Sequence, residues 1–127
     1  MVMGLLVGSA WGEVVTFAWD PHEQIDQITH FKFLWSDQAG GPHVFLVDVP
    51  KADVVNSSRA IDATVTGPGQ TTITKYFVLQ ACGDVLLEDG VTENQCSGNS
   101  NEVSHGFWIP FEGFKVPINF IIQPKEQ

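Results

Sequence analysis

The stretch Val14 to Trp19, VVTFAW, decides the fold class because its large apolar side chains recur at every second residue. Val15, Phe17 and Trp19 share one face of an extended chain, in which successive side chains point to opposite sides. The stretch is therefore predicted to be a β-strand with one face against a core. Pro21 follows and ends the strand, since proline cannot donate a hydrogen bond to a ladder.

The same period of two recurs along the chain, and no window of helical length shows a sustained period of 3.6. Its clearest repeats are Ile28 to Trp35 (ITHFKFLW) and Lys75 to Cys82 (KYFVLQAC). Short strands separated by Gly- and Pro-containing turns predict an all-β chain folded as an immunoglobulin-like two-sheet sandwich. The predicted core residues are Phe17, Trp19, Phe31, Phe33, Phe77 and Leu79.

Length and composition narrow the class of protein. The chain has 127 residues, the length of one domain, and 43% of them are hydrophobic, which is enough for a core. Six Lys and Arg residues against fifteen Asp and Glu give a formal net charge of −9, the wrong sign for holding a phosphate backbone. Nucleic acid is therefore not expected as a partner. No apolar run is long enough to predict a membrane span.

Residues 1–12, MVMGLLVGSAWG, are uncharged and end in small residues. Ala10 and Gly12 before Glu13 resemble a signal peptidase site, although no basic region precedes them, so a truncated signal peptide is predicted. The alternative is a short buried N-terminal strand. The sandwich is assigned to residues 13–107, and residues 108–127 form a C-terminal extension.

Two cysteines, Cys82 and Cys96, predict one disulfide and hence an oxidising compartment. Their spacing is not that of a Cys-x-x-Cys redox motif, and zinc would need further ligands nearby. A secreted or surface location is expected, with the periplasm as a variant.

Five segments taken in order resemble a bacterial-type fibronectin type III domain, over about residues 13–104. They are VVTFAWDP (Val14 to Pro21), ITHFKFLW (Ile28 to Trp35), FLVDV (Phe45 to Val49), YFVLQAC (Tyr76 to Cys82) and SNEVS (Ser100 to Ser104). The resemblance implies that Trp19 is a core residue and that Phe77, Leu79 and Ala81 line the sixth strand's inner face. It also implies a scaffold that displays loops or joins neighbours.

Three features depart from that family. Lys75 stands where the family has the tyrosine of a tyrosine corner and Tyr76 comes next, so either a register shift or a lost corner is expected. The loop between the cysteines carries a long insert, Asp84 to Glu93, where a binding site could sit. The chain after residue 12 begins directly in the family's second strand.

The C-terminal segment Lys115 to Pro124, KVPINFIIQP, resembles the family's opening strand at the wrong end of the chain. It is expected either to dock on its own sandwich or to pair with a neighbouring copy by strand addition; a solvated tail is the third alternative. An aromatic-rich stretch, Gly106 to Phe114, precedes it and predicts an interface or a cover over a sheet edge. The predicted interaction residues are Phe107, Trp108, Phe111, Phe114, Ile118, Phe120, Ile122, Leu86 and Leu87.

No residue pattern predicts catalysis, a metal site or a cofactor. The four histidines lack ligand spacing, and a hydrolase built on Asp20, Glu23 or Glu102 has no predicted cleft. The sequence therefore favours a non-catalytic extracellular module that assembles with copies of itself, as a subunit of a surface filament or virion, through its C-terminal extension. The alternative is an adhesion module that binds a polysaccharide or protein through the loop between the cysteines.

Overall fold

The structure, a computed structural model, describes residues 9–111 and 113–123. Seven strands form its regular part, with a short 3-10 helix, Lys51–Asp53, after the third. The strands are β1 (Ser9–Ala18), β2 (Ile28–Ser36), β3 (Val44–Pro50), β4 (Ser58–Gly67), β5 (Thr71–Leu86), β6 (Thr92–Cys96) and β7 (Val103–Ile109). No α-helix occurs among the described residues, so the all-β prediction is confirmed.

The strands form two antiparallel sheets that pack as a sandwich. One sheet is the pair β1 and β4, and the other has the order β3, β2, β5, β6, with β7 also paired to β5. The strand β5 is long because it has two partners along one edge: its first part pairs with β7 and its last part with β6. Between them, Ser97 and Ser100 hydroxyls accept the backbone N–H groups of Ala81 and Leu79, which keeps this edge bonded where the partner strand is interrupted.

The core lies between the sheets, and most of its largest fully buried side chains are aromatic. Phe31, Phe33 and Phe77 are at most 2% exposed, as predicted. Phe17, Trp19 and Leu79 also pack on this core but are only partly buried. Phe17 lies 5.5 Å from Phe33 and 4.9 Å from Phe77 between ring centroids, so it connects the two sheets.

The fold corrects the boundary at the end of the sandwich. Strand β7 continues to Ile109, and its alternation buries Phe107 and Ile109 at 0% and 1% exposure. The prediction that Phe107 is an interaction residue is therefore wrong: it is a core residue, because it occupies an inward position of a paired strand. The exposed residue between these two, Trp108, faces away from the core.

The region between the cysteines is a β-hairpin and not a long loop. Cys82 of β5 and Cys96 of β6 lie opposite each other and form the predicted disulfide. Strand β5 extends through the first residues of the predicted insert, and the chain turns between Leu86 and Thr92. Main-chain pairing therefore fixes most of the segment that the sequence marks as a loop.

Of the two alternatives at Lys75, the structure shows a lost tyrosine corner and no shift of the inward positions of β5. Its side chain lies over the Trp35 ring, with Nζ 4.6 Å from the centroid, and it pairs with Asp37. Phe77 keeps its inward position two residues later. Tyr76 has no side-chain hydrogen bond within the described part of the chain, so there is no tyrosine corner there; the Lys75 stem and Trp35 cover this part of the core instead.

Candidate assembly interface

The two strands of the smaller sheet are covered unequally. The inward residues of β4, Ile61, Ala63 and Val65, are at most 5% exposed. Their partners on β1 are Val15, Glu13 and Trp11, which are partly buried or exposed although they lie opposite and share the same face. The sandwich is therefore closed on the β4 side and open along β1.

The outer edge of β1 carries free hydrogen-bonding groups. The Trp19 N–H donates to the Ser57 carbonyl, in line with the register that pairs Phe17 with Arg59. Because residues of an antiparallel ladder alternate between bonding their partner strand and pointing away from it, the odd-numbered residues of β1 bond β4. The backbone groups that face the open edge belong to Ala10, Gly12, Val14, Thr16 and Ala18. Within the described residues β1 pairs only with β4.

An apolar slot opens beside this edge, between β1 and the second sheet. Phe17 and Trp19 form one wall, and Phe77, Leu79 and Val103 form the other, around a cavity of about 80 Å³. The slot explains why Phe17, Trp19 and Leu79 are incompletely buried: they pack against one another, but no strand of the described residues covers them from the side.

Toward the other end of β1 the sheets are bridged by a polar contact. Glu13 Oε2 and His105 Nε2 lie 2.6 Å apart, and the His105 ring stacks edge-on against Phe107 at 4.7 Å. This pair closes the space near the start of β1. We call the remaining opening, lined by Phe17, Trp19, Leu79 and Val103, the side slot.

The C-terminal segment exposes a run of large apolar side chains. Its described residues after Ile109 form no strand, so the predicted additional strand is not present, and the expected docking on the chain's own sandwich is not seen. Phe120 and Ile122 are each 95% exposed, and Ile118 is 81% exposed. Without a neighbouring strand this segment leaves its backbone and its apolar side chains in water. Pro124, the end of the predicted strand, lies outside the described residues.

The aromatic residues that precede this segment are also exposed. Trp108 and Phe111 are about half exposed, and Phe111 packs against Phe114 with ring centroids 5.1 Å apart. They extend an apolar surface from β7 into the segment. Trp108, Phe111, Phe114, Ile118, Phe120 and Ile122 are thus exposed, in contrast to Phe107.

The disulfide hairpin offers a smaller second surface. Leu86 is 72% exposed near its turn, whereas Leu87 is half-buried. A shallow pocket at the base of the hairpin is lined by His22, Gln27, Asp84 and Gln95, among others. His30 lies near both cysteine sulfurs, but the disulfide removes the thiolates that a metal would need.

The acidic residues considered for hydrolysis do not converge. Glu102 accepts hydrogen bonds from the Gly40 N–H, at 3.1 and 3.0 Å, and lies 2.6 Å from His43 Nε2. It therefore fastens the turn between β2 and β3 to the start of β7. Asp20 and Glu23 are exposed after β1 and make no side-chain hydrogen bond in the described structure.

Comparisons with protein-family models, with curated proteins and with solved structures find no match to this chain. No helix among the described residues is long and apolar enough to cross a membrane. The candidate site is consequently defined by its geometry: in the part of the chain that the structure describes, an exposed apolar segment is covered by no strand, and the sandwich is open along β1.

Proposed function

We propose that this protein is a non-catalytic structural subunit that assembles with copies of itself through its C-terminal segment, in an extracellular filament or virion surface. The observation that carries the proposal is the exposed run Ile118 to Ile122, whose apolar side chains are covered by nothing in the described chain. Large contiguous apolar patches on a folded protein mark interaction surfaces. The disulfide supports an oxidising compartment.

The energetics favour burial of this segment. Fully burying a Phe or Ile side chain contributes roughly 1.5 to 3 kcal/mol, and three such residues alternate here. Ordering a free segment costs about 1 to 2 kcal/mol per residue, so side-chain burial alone gives little net stability. Backbone hydrogen bonds to an existing sheet would supply the remainder, which favours a strand-like bound form.

The resemblance to a fibronectin type III domain is retained in the proposal, with the two-sheet sandwich and the disulfide in support. Such a scaffold is rigid, and its termini lie at the ends of strands. A self-assembling subunit needs a rigid body and an exposed adhesive segment, and this chain combines the two.

The test compares the mass in solution of the full chain with that of a chain ending at Pro110, which keeps all of β7 and its core residues. Static light scattering is expected to show concentration-dependent assemblies for the full chain and monomers for the shortened one. A matched pair of variants controls for nonspecific association through exposed apolar residues. Phe120→Asp should abolish assembly, whereas Phe45→Asp, at an exposed residue of β3, should not. A full chain that stays monomeric at every concentration would contradict the proposal.

The second candidate function is ligand binding by the disulfide hairpin. It is favoured by one observation, the exposure of Leu86 beside the turn. Loops and turns on rigid sandwiches often carry binding sites. Leu86→Ser, with Val55→Ser as the control at an equally exposed apolar residue elsewhere, should then weaken binding to a polysaccharide array or a protein ligand without affecting assembly.

A further inference from the structure

The geometry points to one occupant for the side slot: residues Ile118 to Gln123 of a second copy, added as a strand antiparallel to the free edge of β1, so that copies join head to tail. This inference rests on the proposed self-assembly and specifies its partner and polarity. The exposed segment of one copy would thus complete the sandwich of the next copy along its open side.

The acceptor side is defined by β1. Its edge offers unpaired backbone groups at Val14, Thr16 and Ala18. The inward residues at this end, Phe17 in β1 and Trp19 just after it, are incompletely buried. The outer edge of β4 needs no such cover, because its inward residues are already buried. A strand added to β1 would therefore meet both a ladder and an apolar wall.

The donor side matches this acceptor in its alternation. In an antiparallel pair, opposite residues have side chains on the same face. The edge-facing residues of β1 have outward side chains, so donor residues that bond β1 also point outward, and their neighbours point into the slot. With Ile118, Phe120 and Ile122 pointing inward, the bonded residues are Asn119, Ile121 and Gln123.

Pro117 agrees with that register. It has the parity of the bonded residues but has no N–H, so the ladder begins after it. Asn119 has φ of +56° in the free segment and must become extended on pairing. Asparagine visits the left-handed region more readily than most residues, which makes this position a suitable place for the change.

The charges at the entrance are complementary. Lys115 is the one charged residue among the described residues 113–123. It precedes the inserted residues and would therefore reach the end of β1 where Asp20 is exposed. This pairing is a surface contact and contributes to register more than to affinity.

A donor that runs antiparallel to β1 has to come from another copy, because of the direction in which β7 runs. Strand β7 ends at Ile109, whose Cδ1 lies 3.0 Å from the point where a Cβ on Gly67 would stand. Gly67 in turn pairs with Ser9 at the start of β1. An antiparallel donor has to enter at the opposite end, beside Ala18. Along β1 that distance is about 30 Å, at roughly 3.3 Å for each residue.

The segment of the same chain is too short to reach that entry point and pair antiparallel to β1. From Ile109 to Ile118 there are nine steps, which span at most about 32 Å when fully extended. The path would need to reverse after β7, run the length of β1 and reverse again. Each reversal uses residues, so the remaining length is shorter than β1. A second copy placed beyond the end of β7 can instead present the Ala18 end of its own β1 directly to the segment.

A head-to-tail contact uses different surfaces on its two sides. Each junction fills one slot with one segment and leaves a free slot at one end of the array and a free segment at the other. Such heterologous contacts give rings when the rotation closes and filaments when it does not.

The test is a complementation experiment with two full-length variants. Phe120→Asp destroys the donor at a residue that is 95% exposed, and Thr16→Pro removes an edge-facing N–H from the acceptor while leaving the β1 to β4 bonds in place. Phe120→Leu and Thr16→Val are the matched controls. Each is measured by sedimentation and light scattering, with circular dichroism to confirm folding; Val14→Pro replaces Thr16→Pro if that variant does not fold.

The expected result is that each defective variant is monomeric alone, and that their mixture forms a 1:1 dimer of twice the 13.9 kDa chain mass and nothing larger. Only one intact donor and one intact acceptor meet in the mixture, which is why growth stops there. Both controls should assemble like the unmodified chain.

Two outcomes would overturn the inference while leaving self-assembly standing. Assembly that is lost through Phe120→Asp but retained by the proline variants on their own would place the donor segment away from β1, either on another strand such as β7 or on the same segment of another copy. Failure of the mixture to form dimers, with both variants folded, would exclude strand donation between copies. A monomeric unmodified chain would instead contradict the proposed function itself.

Discussion

The same substitution, Phe to Ala, made separately at positions 107 and 120, distinguishes a core residue from an interface residue. Phe107 is 0% exposed and packs among Phe77, His105 and the inward residues of β4, whereas Phe120 is 95% exposed. Deleting a buried Phe ring removes its transfer free energy and leaves a cavity, at a cost of about 3 to 5 kcal/mol. Since Phe107 is fully enclosed between two sheets, we expect about 4 kcal/mol for Phe107→Ala.

That cost is a large part of the total, because a domain is stable by only about 5 to 15 kcal/mol. Phe120→Ala should change the free energy of unfolding by less than about 0.5 kcal/mol, as exposed substitutions usually do. The assay is urea unfolding followed by tryptophan fluorescence, at protein concentrations below the onset of assembly. A loss smaller than about 1 kcal/mol for Phe107→Ala, or equal losses for both variants, would refute the assignment of Phe107 to the core.

Concentration provides the second half of this test. Binding between folded copies stabilises the folded state by mass action, by about 2.7 kcal/mol when the free concentration is a hundredfold above the dissociation constant. The urea midpoint of the unmodified chain should therefore rise with protein concentration. Phe120→Ala should lose that dependence while keeping the dilute-solution midpoint.

Three further predictions concern the disulfide, the turn between β2 and β3, and the net charge. Cys96→Ser opens a loop whose closure stabilises by roughly 3 kcal/mol in the chain-entropy treatment, so its melting temperature should fall under oxidising conditions; an equal difference from the unmodified chain in reductant would remove the disulfide as the cause. Glu102→Ala leaves the Gly40 N–H and His43 without their acceptor and should cost about 1 to 3 kcal/mol in thermal unfolding, whereas an unchanged midpoint would show that the turn holds without it. Because each copy carries a formal charge of −9, salt should screen repulsion and lower the concentration at which assemblies appear in light scattering; assembly that weakens steadily with salt would indicate an electrostatic interface instead of an apolar one.

The sequence by itself determined the fold class and the aromatic part of the core on β2 and β5. Alternation in β1, β2 and β5 is a local property, and a period of two places Phe31, Phe33 and Phe77 on inner faces whatever the strand order is. The disulfide also followed from counting, since two cysteines in one chain have one intramolecular partner each. The apolar character of the C-terminal segment was equally evident in the sequence.

Only the tertiary structure decided where the strands end and which edges are free. Phe107 and Trp108 are adjacent aromatic residues of one segment, and pairing with β5 alone determines that the first is buried and the second exposed. The hairpin at the cysteines was missed because its polar residues carry turn signals, and main-chain ladders form regardless of them. The open side of β1 and the polarity of β7 depend on how distant strands pack, and no local pattern encodes that geometry.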